Sequence, residues 1–187
     1  WEATRNSVNL AYIRIMRDIV RHYASATPGA AARILDDASN PLRETYLMRF
    51  VDQEGRVFIN RFYQRHKAQT PTQMADDLYG RIRLNPRRFT SVFRYLEPLA
   101  GFDAYVAALH QHVPASASLS PNVLKSMFNA HAPDAYNLAD RGYVSQIHPL
   151  ELWVVKTMRA TPKTNLSTLY EQGTAARREV YNWLFKT

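Results

Sequence analysis

The sequence predicts an all-α fold, an irregular bundle of eight to ten short helices. Apolar residues recur every three or four positions along most of the chain, which is the period of an amphipathic helix. Several prolines directly follow Asn, Ser, Thr or His, the arrangement expected where a capping residue precedes the first helical turn. No segment alternates apolar and polar residues as a strand does, and the hairpin dipeptides Asn-Gly and Asp-Gly are absent.

The first helices follow from this spacing. An apolar stripe at residues 8–23 predicts a helix that Thr27-Pro28-Gly29 ends. Asn40-Pro41 begins the next helix, in which glycine at position 55 is expected to produce a break or kink. Its expected apolar face consists of Leu42, Tyr46, Phe50, Val57, Phe58 and Phe62.

Four further Pro-containing starts predict helices in the rest of the chain: Thr70-Pro71, Asn85-Pro86, Ser120-Pro121 and His148-Pro149. Residues 102–113 form another helix by their spacing, and Thr174 or a neighbour caps the last one. The apolar positions that define these helices are Met74, Leu78, Ile82, Phe89, Val92, Phe93, Leu96, Tyr105, Val106, Leu109, Val123, Leu124, Met127, Phe128, Leu152, Val155, Met158, Val180, Tyr181 and Leu184.

Two arrangements of the helices remain open. The Pro-, Ala- and Ser-rich segment 114–120 is a candidate linker between a first lobe, residues 1–113, and a second lobe, residues 121–187. A single domain over 1–187 is the alternative, because 187 residues can enclose one core. We also expect the chain to be a piece of a larger protein.

The chain is basic, with a formal net charge of +8 and a pI of about 9.9. Such a balance favours nucleic acid, anionic lipid or anionic glycan as partners, although it is also compatible with a merely solvated surface. Two groups of arginines are candidates for binding an anionic partner. Arg14, Arg17 and Arg21 share one face of the first predicted helix, and Arg81, Arg83, Arg87 and Arg88 surround the Asn85-Pro86 turn.

The common catalytic and metal-binding patterns are absent from this sequence. There is no cysteine, no Ser-x-x-Lys, no Gly-x-Ser-x-Gly, no phosphate-binding glycine loop and no His-Glu-x-x-His. His110 and His112 point in different directions on a helix, so they do not form a metal site together. The adjacent acids Asp76 and Asp77 do not face each other on a helix, and we interpret them as part of a solvent-exposed face. We therefore expect neither a metal site nor a cofactor.

Four stretches resemble a known family: 5–14 (RNSVNLAYIR), 138–143 (LADRGY), 148–153 (HPLELW) and 178–186 (REVYNWLFK). Together they resemble a helical insertion that follows the Ser-x-Asn motif in penicillin-binding proteins. Within that family they resemble more closely a group of large proteobacterial proteins in which a glycosyltransferase domain precedes the transpeptidase domain. The resemblance implies that Ser7 helps to relay protons and that Asn9 contacts the substrate peptide, whereas the acylated serine lies upstream. Lys186-Thr187 looks like the start of the family's third motif, but its helical context makes this match a coincidence.

The resemblance implies a non-catalytic helical subdomain of a bifunctional peptidoglycan synthase, acting as a scaffold or as a docking or substrate-guiding surface. The parent would be anchored in the inner membrane, this chain would lie in the periplasm, and peptidoglycan or its lipid-linked precursor would be reached through the parent. A protein partner or anionic lipid headgroups could bind its surface. A basic helical nucleic-acid-binding domain is the alternative, although no helix concentrates base-reading residues on a polar face.

Overall fold

The computed structural model describes residues 39–82 and 84–185, together with Ile34 and Asp37. This part of the chain is all-α, as predicted, and contains nine α-helices and no strand. Two short 3₁₀ helices, Pro114–Ser118 and Asn182–Leu184, accompany them. The α-helices are α1 (Pro41–His66), α2 (Pro71–Ile82), α3 (Pro86–Leu96), α4 (Phe102–His112), α5 (Pro121–Ala130), α6 (Leu138–Ser145), α7 (Pro149–Ala160), α8 (Leu166–Gln172) and α9 (Thr174–Val180). The helix predicted at residues 8–23 lies outside the described residues.

The predicted Pro-containing helix starts are confirmed. Helices α1, α2, α3, α5 and α7 each begin at a proline, whose missing N–H has no partner to lose in the first turn. At α3 the Asn85 side chain accepts a hydrogen bond from the Arg88 N–H, with an O···N distance of 3.1 Å. Ser120 and His148 accept equivalent bonds at the starts of α5 and α7. Local capping chemistry therefore sets these boundaries.

Two helices were not predicted separately, α6 and α8. Each is short, and each has an asparagine N-cap, Asn137 or Asn165, whose side chain accepts from a backbone N–H three residues later. Helix α6 ends at Gln146, which lies in the left-handed region with φ of 58°. Helices commonly end with a residue in this conformation, at a position where glycine is more usual than glutamine.

Helices α3 and α7 form the centre of the bundle. Helix α3 contacts α2, α4, α5, α6 and α7, while α7 also contacts α6 and α9. Residues 89–94 of α3 are all buried, as are residues 150–152 and 154–155 of α7. Both helices are thus covered on most sides, so that α3 buries the polar residues Thr90, Ser91 and Arg94 together with its apolar ones.

Some residues of the predicted apolar faces are exposed instead. Leu42, Tyr46 and Val57 of α1 and Val123 of α5 each keep more than two fifths of their surface accessible. The spacing placed them correctly on helices, but a stripe is buried only where another helix covers it. The predicted faces of α2, α3 and α7 are buried.

The expected break at Gly55 is wrong, because α1 continues through this position. A Cβ atom placed on Gly55 would overlap the Cδ and Cγ atoms of Arg177, a residue of α9. Glycine is therefore present here because the Arg177 side chain lies against the α1 backbone, not because the helix ends.

The chain divides into two compact units between Arg49 and Phe50. The candidate linker 114–120 lies within the second unit, where Pro114–Ser118 form a 3₁₀ helix and Ser116 is fully buried. Core residues from before and after this segment, such as Leu109 and Leu124, belong to one hydrophobic cluster. The division into lobes at this segment stays a prediction. In the described ranges, none of the helices has the length and apolarity needed to cross a bilayer.

Candidate functional site

A cavity of about 490 Å³ opens between the start of α3, helix α5 and the loop that follows α5. Its mouth faces solvent, and its wall combines cationic, polar and aromatic side chains. A cavity of this size is within the range of small-ligand sites. The lining residues are Asn85, Arg87, Arg88, Ser126, Met127, Ala130, His131, Tyr136 and Val144.

The positive charge of this cavity comes from Arg87 and Arg88. They occupy the first turn of α3, directly after Pro86, and neither forms an ion pair with any residue that the structure describes. The first turn of a helix carries partial positive charge from its free N–H groups, so a cation is unfavourable there. No acidic residue is present in this turn to compensate. The helix terminus and the two guanidinium groups thus add to one another's attraction for an anion.

His131 supplies the cavity with a hydrogen-bond acceptor. Its side chain is only 6% exposed, and Nδ1 lies 2.9 Å from the carbonyl oxygen of Met127. Because a carbonyl can only accept, Nδ1 carries the proton of the ring. Burial lowers the pKa of His131, and the charges of Arg141 and Arg87 act in the same direction, against the hydrogen bond to Met127. The ring is therefore neutral at pH 7, and Nε2 presents a lone pair.

Arg141 holds the wall of this cavity in place from behind. It is completely buried, and its guanidinium donates to the carbonyl oxygens of Ser91 in α3 at 2.7 Å and of Ala132 and Pro133 at 3.1 Å each. Its Cζ also lies 5.5 Å from the centre of the Tyr136 ring. Burial lowers the pKa of Arg141. No carboxylate in the described part of the chain forms an ion pair with it. The loop between α5 and α6 is thereby tied to α3.

A second polar cluster surrounds Glu151 of α7. Arg81 donates to both carboxylate oxygens, at 3.0 and 2.9 Å, and His66 Nε2 lies 3.0 Å from Oε1. Burial by itself raises the pKa of Glu151, but the hydrogen bonds from His66 and Arg81, with the charges of Arg81 and Arg65, outweigh it and lower the pKa to about 2. Glu151 is therefore a buried anion whose partners join α1, α2 and α7.

Possible metal ligands meet in this same cluster. One ligand atom from each of His66, Asp77 and Glu151 lies within 4.8 Å of the others. However, the two carboxylates are already matched by Arg65 and Arg81, with Arg65 3.3 Å from Asp77. A divalent ion would have to displace the bidentate Arg81 pair and would leave two guanidinium groups beside it. We therefore assign these residues to the structure of the bundle.

A third cluster fixes α9 against α1. Arg177 is buried, and its Nη2 lies 2.8 Å from Asp52 of α1, while Nη1 donates to the Tyr170 carbonyl oxygen at 2.8 Å. Gly55 leaves the space that this side chain fills. The most buried charged groups thus act as ties between helices.

The candidate residues of the sequence analysis divide into three groups. Arg87 and Arg88 line the cavity, and Arg81 is bonded to Glu151. Ser7, Asn9, Arg14, Arg17, Arg21 and Arg83 lie outside the described residues. His112 packs on the Tyr79 ring, whereas His110 is exposed, so the two do not share a site.

Sequence reasoning missed His131, Tyr136 and Ser126 as cavity residues and Glu151 and His66 as a buried pair. Nothing in the local sequence of these residues distinguishes them from ordinary surface or core positions. They are brought together by the packing of α3, α5, α6 and α7. A scan against protein-family models and searches of curated proteins and of solved structures find no match for this chain.

Proposed function

We propose that this chain is a non-catalytic helical subdomain of a bifunctional peptidoglycan glycosyltransferase/transpeptidase, and that it binds an anionic partner through Arg87 and Arg88. The observation that carries the binding role is the cavity at the start of α3, where two arginines without ion-pair partners among the described residues meet a helix N-terminus. The chain would serve as a scaffold and as a docking or substrate-guiding surface in cell-wall synthesis.

The scaffold role is supported by the buried charges. Both carboxylate oxygens of Glu151, both terminal guanidinium nitrogens of Arg141 and all three guanidinium nitrogens of Arg177 form hydrogen bonds within the bundle. A reactive acid, base or nucleophile must keep one group available for a substrate. These three side chains instead stabilise the relative positions of the helices.

The binding role is supported by the cost of placing the arginines where they are. Arg87 and Arg88 oppose the dipole of α3, and no acidic residue in the first turn of this helix compensates their charge. A bound anion would offset the repulsion between the two arginines and the positive end of the helix dipole, because it would attract both guanidinium groups and the helix terminus. Exposed apolar Leu84 directly precedes this turn in the chain.

The assignment to a peptidoglycan synthase rests on the resemblance of four stretches to the family. Two of these stretches contain Arg141 and Glu151, the centres of two of the buried clusters. Under this proposal Ser7 relays protons and Asn9 contacts the peptide, in a site completed by an upstream serine. The parent is anchored in the inner membrane, this chain lies in the periplasm, and peptidoglycan or its lipid-linked precursor is the substrate of the parent.

Titration with inorganic phosphate and sulfate at pH 7 tests the binding role. We expect saturable binding that weakens as sodium chloride increases, because opposite charges are screened. The double variant Arg87→Gln/Arg88→Gln should lose this binding, whereas Lys125→Gln, which removes an exposed charge elsewhere on α5, should retain it. Equal binding by the two variants would place the anion elsewhere and contradict the proposal.

Covalent labelling of the full-length parent with a fluorescent penicillin tests the family assignment. The parent should be labelled, and the Ser7→Ala and Asn9→Ala variants should be labelled more slowly, because the Ser-x-Asn residues assist acylation in the family that the chain resembles. An exposed Ser167→Ala variant is the control. A folded parent that takes up no penicillin would sink the transpeptidase assignment without affecting the phosphate result.

The alternative, a nucleic-acid-binding domain, requires an exposed recognition helix. Helices α2 and α3 are joined by a short turn, as in a helix-turn-helix, but residues 89–94 of the second helix are buried in the bundle. Only its first turn reaches the cavity. Salt-sensitive binding of duplex DNA that Arg87→Gln/Arg88→Gln abolishes would favour this alternative over the proposal.

A further inference from the structure

The arginine-lined cavity has a feature that a simple anion site does not need. His131 is more than nine-tenths buried in its wall, and no hydrogen bond joins Nε2 to any described residue. The Nδ1–H bond to the Met127 carbonyl fixes the tautomer, so Nε2 is an acceptor. Because Nε2 has no proton to donate, it contributes no hydrogen bond to a bare anion such as sulfate, which the two arginines alone would hold.

We propose that this cavity recognises a phosphodiester that carries hydroxyl groups close to the phosphate, as a glycerol phosphate headgroup does. The phosphate oxygens accept from the guanidinium groups of Arg87 and Arg88, and a neighbouring hydroxyl donates to His131 Nε2. The inference rests on the proposed anion-binding role and adds the chemical class of the ligand. The Tyr136 ring and the Met127 side chain supply apolar wall for the carbon atoms between these groups.

Two geometric facts support a preformed site. Arg141 ties the loop that carries His131 and Tyr136 to α3, because it donates to the loop carbonyls of Ala132 and Pro133 and to the Ser91 carbonyl of α3. The His131 and Tyr136 rings also contact each other, with centroids 5.5 Å apart. Donor and acceptor groups are therefore held before the ligand arrives, which reduces the ordering cost of binding.

The same headgroup chemistry is available from two sources, a free phosphodiester and an anionic phospholipid. Exposed apolar residues adjoin the cavity residues in sequence: Leu84, 90% exposed, precedes Asn85, and Tyr143, 87% exposed, precedes Val144. Apolar and tyrosine side chains beside cationic groups are typical of surfaces that contact lipid headgroups. We therefore expect the lipid source to bind more tightly than the free ligand.

Two soluble probes of equal charge test the hydroxyl recognition. Glycerophosphoglycerol and dimethyl phosphate are both singly charged phosphodiesters, but only the first carries hydroxyl groups. We expect the first to bind about fivefold to tenfold more tightly by titration calorimetry at pH 7, as one additional hydrogen bond gives. Arg87→Gln/Arg88→Gln should remove both affinities, and Lys125→Gln should change neither.

The ¹⁵N spectrum of the imidazole rings gives a readout that a structural role for His131 would not move. Glycerophosphoglycerol should shift the Nε2 resonance of His131, and dimethyl phosphate should not. Equal affinities and an unmoved Nε2 resonance, with binding still dependent on the two arginines, would overturn this inference and leave the anion-binding role intact. Absence of arginine-dependent binding for both probes and for inorganic phosphate would overturn both.

Vesicles distinguish the two sources. Binding to vesicles of phosphatidylglycerol in phosphatidylcholine, stronger than to phosphatidylmethanol vesicles of equal charge, supports the lipid source, because the methyl ester headgroup has neither a hydroxyl nor another hydrogen-bond donor. Leu84→Ser and Tyr143→Ser should weaken vesicle binding without changing the affinity for glycerophosphoglycerol. Strong binding of the soluble probe with no vesicle binding supports the cavity and assigns it to a free phosphodiester.

Discussion

Replacing Glu151 with glutamine tests the interpretation of the buried cluster most directly. The amide has the same size as the carboxylate but carries no charge, and it leaves Arg81 and His66 facing a neutral group. Breaking a buried charge pair by changing one partner commonly costs about 3–5 kcal/mol. We expect Glu151→Gln to lower the free energy of unfolding by about 3 kcal/mol at pH 7, measured by urea denaturation.

The pH dependence provides an independent measure of the same interaction. The pKa of Glu151 falls from an ordinary value of 4.5 to about 2 on folding. A difference of this size corresponds to about 3 kcal/mol of stability. Because the folded pKa is the lower one, this stability is present above pH 4.5 and is lost as the pH falls towards 2.

Protonation of other groups also lowers the free energy of unfolding in acid. The unfolding free energies of the variant and the wild type must therefore be compared at each pH. Burial lowers the pKa of His148 to about 4 from its usual 6.5, and the loss that this group causes occurs between those two values. The difference between wild type and Glu151→Gln should therefore be constant above pH 5 and should shrink between pH 4.5 and 2.

Glu171→Gln is the matched control, because its carboxyl group is exposed on α8. This change should alter stability by less than about 0.5 kcal/mol. If Glu151→Gln behaves like Glu171→Gln, or if its difference from wild type does not change in acid, then the cluster does not hold α1, α2 and α7 together.

Two further predictions concern the start of α3 and the contact at Gly55. Arg87→Gln/Arg88→Gln should raise the unfolding free energy by a few tenths to about 1 kcal/mol, because it removes two cations from the positive end of a helix; a fall in stability by urea denaturation would contradict this. Gly55→Ala should cost about 1–3 kcal/mol, because the new methyl group displaces the buried arginine of α9. Gly80→Ala, whose Cβ meets nothing within 4 Å, should instead gain about 0.5–1 kcal/mol, and similar results for both glycines would remove the steric explanation.

Most of the secondary structure could be predicted because it is decided locally. An asparagine or serine before a proline caps a helix through atoms two or three residues apart, and Asn85 and Ser120 do so here. The buried faces of α3 and α7 follow from spacing for the same reason. Gly55 was misinterpreted because its cause is Arg177, a residue distant in sequence whose side chain occupies the space against α1.

The candidate site was predictable only in part. Arg87 and Arg88 could be predicted as anion-binding candidates, because they are consecutive cations at a predicted helix start. His131 could not be predicted as a cavity residue from the sequence. Its role as an acceptor depends on the Met127 carbonyl, which fixes the tautomer, and on burial, which keeps the ring neutral. Both depend on how α5 and the following loop pack on α3, which no local pattern specifies.

Arg87 and Arg88, at the start of α3, differ from Arg141, behind the cavity, in how the surrounding residues compensate their charge. Arg141 satisfies three backbone carbonyls and is fully enclosed, so its charge serves the fold. Arg87 and Arg88 oppose the dipole of their own helix and have no ion-pair partner in the described ranges, so their charges cost stability in the unliganded chain. A residue that lowers stability and is not compensated within the fold points to a function outside it. This difference, rather than the total positive charge, is the reason to place the binding of an anionic partner at the start of α3.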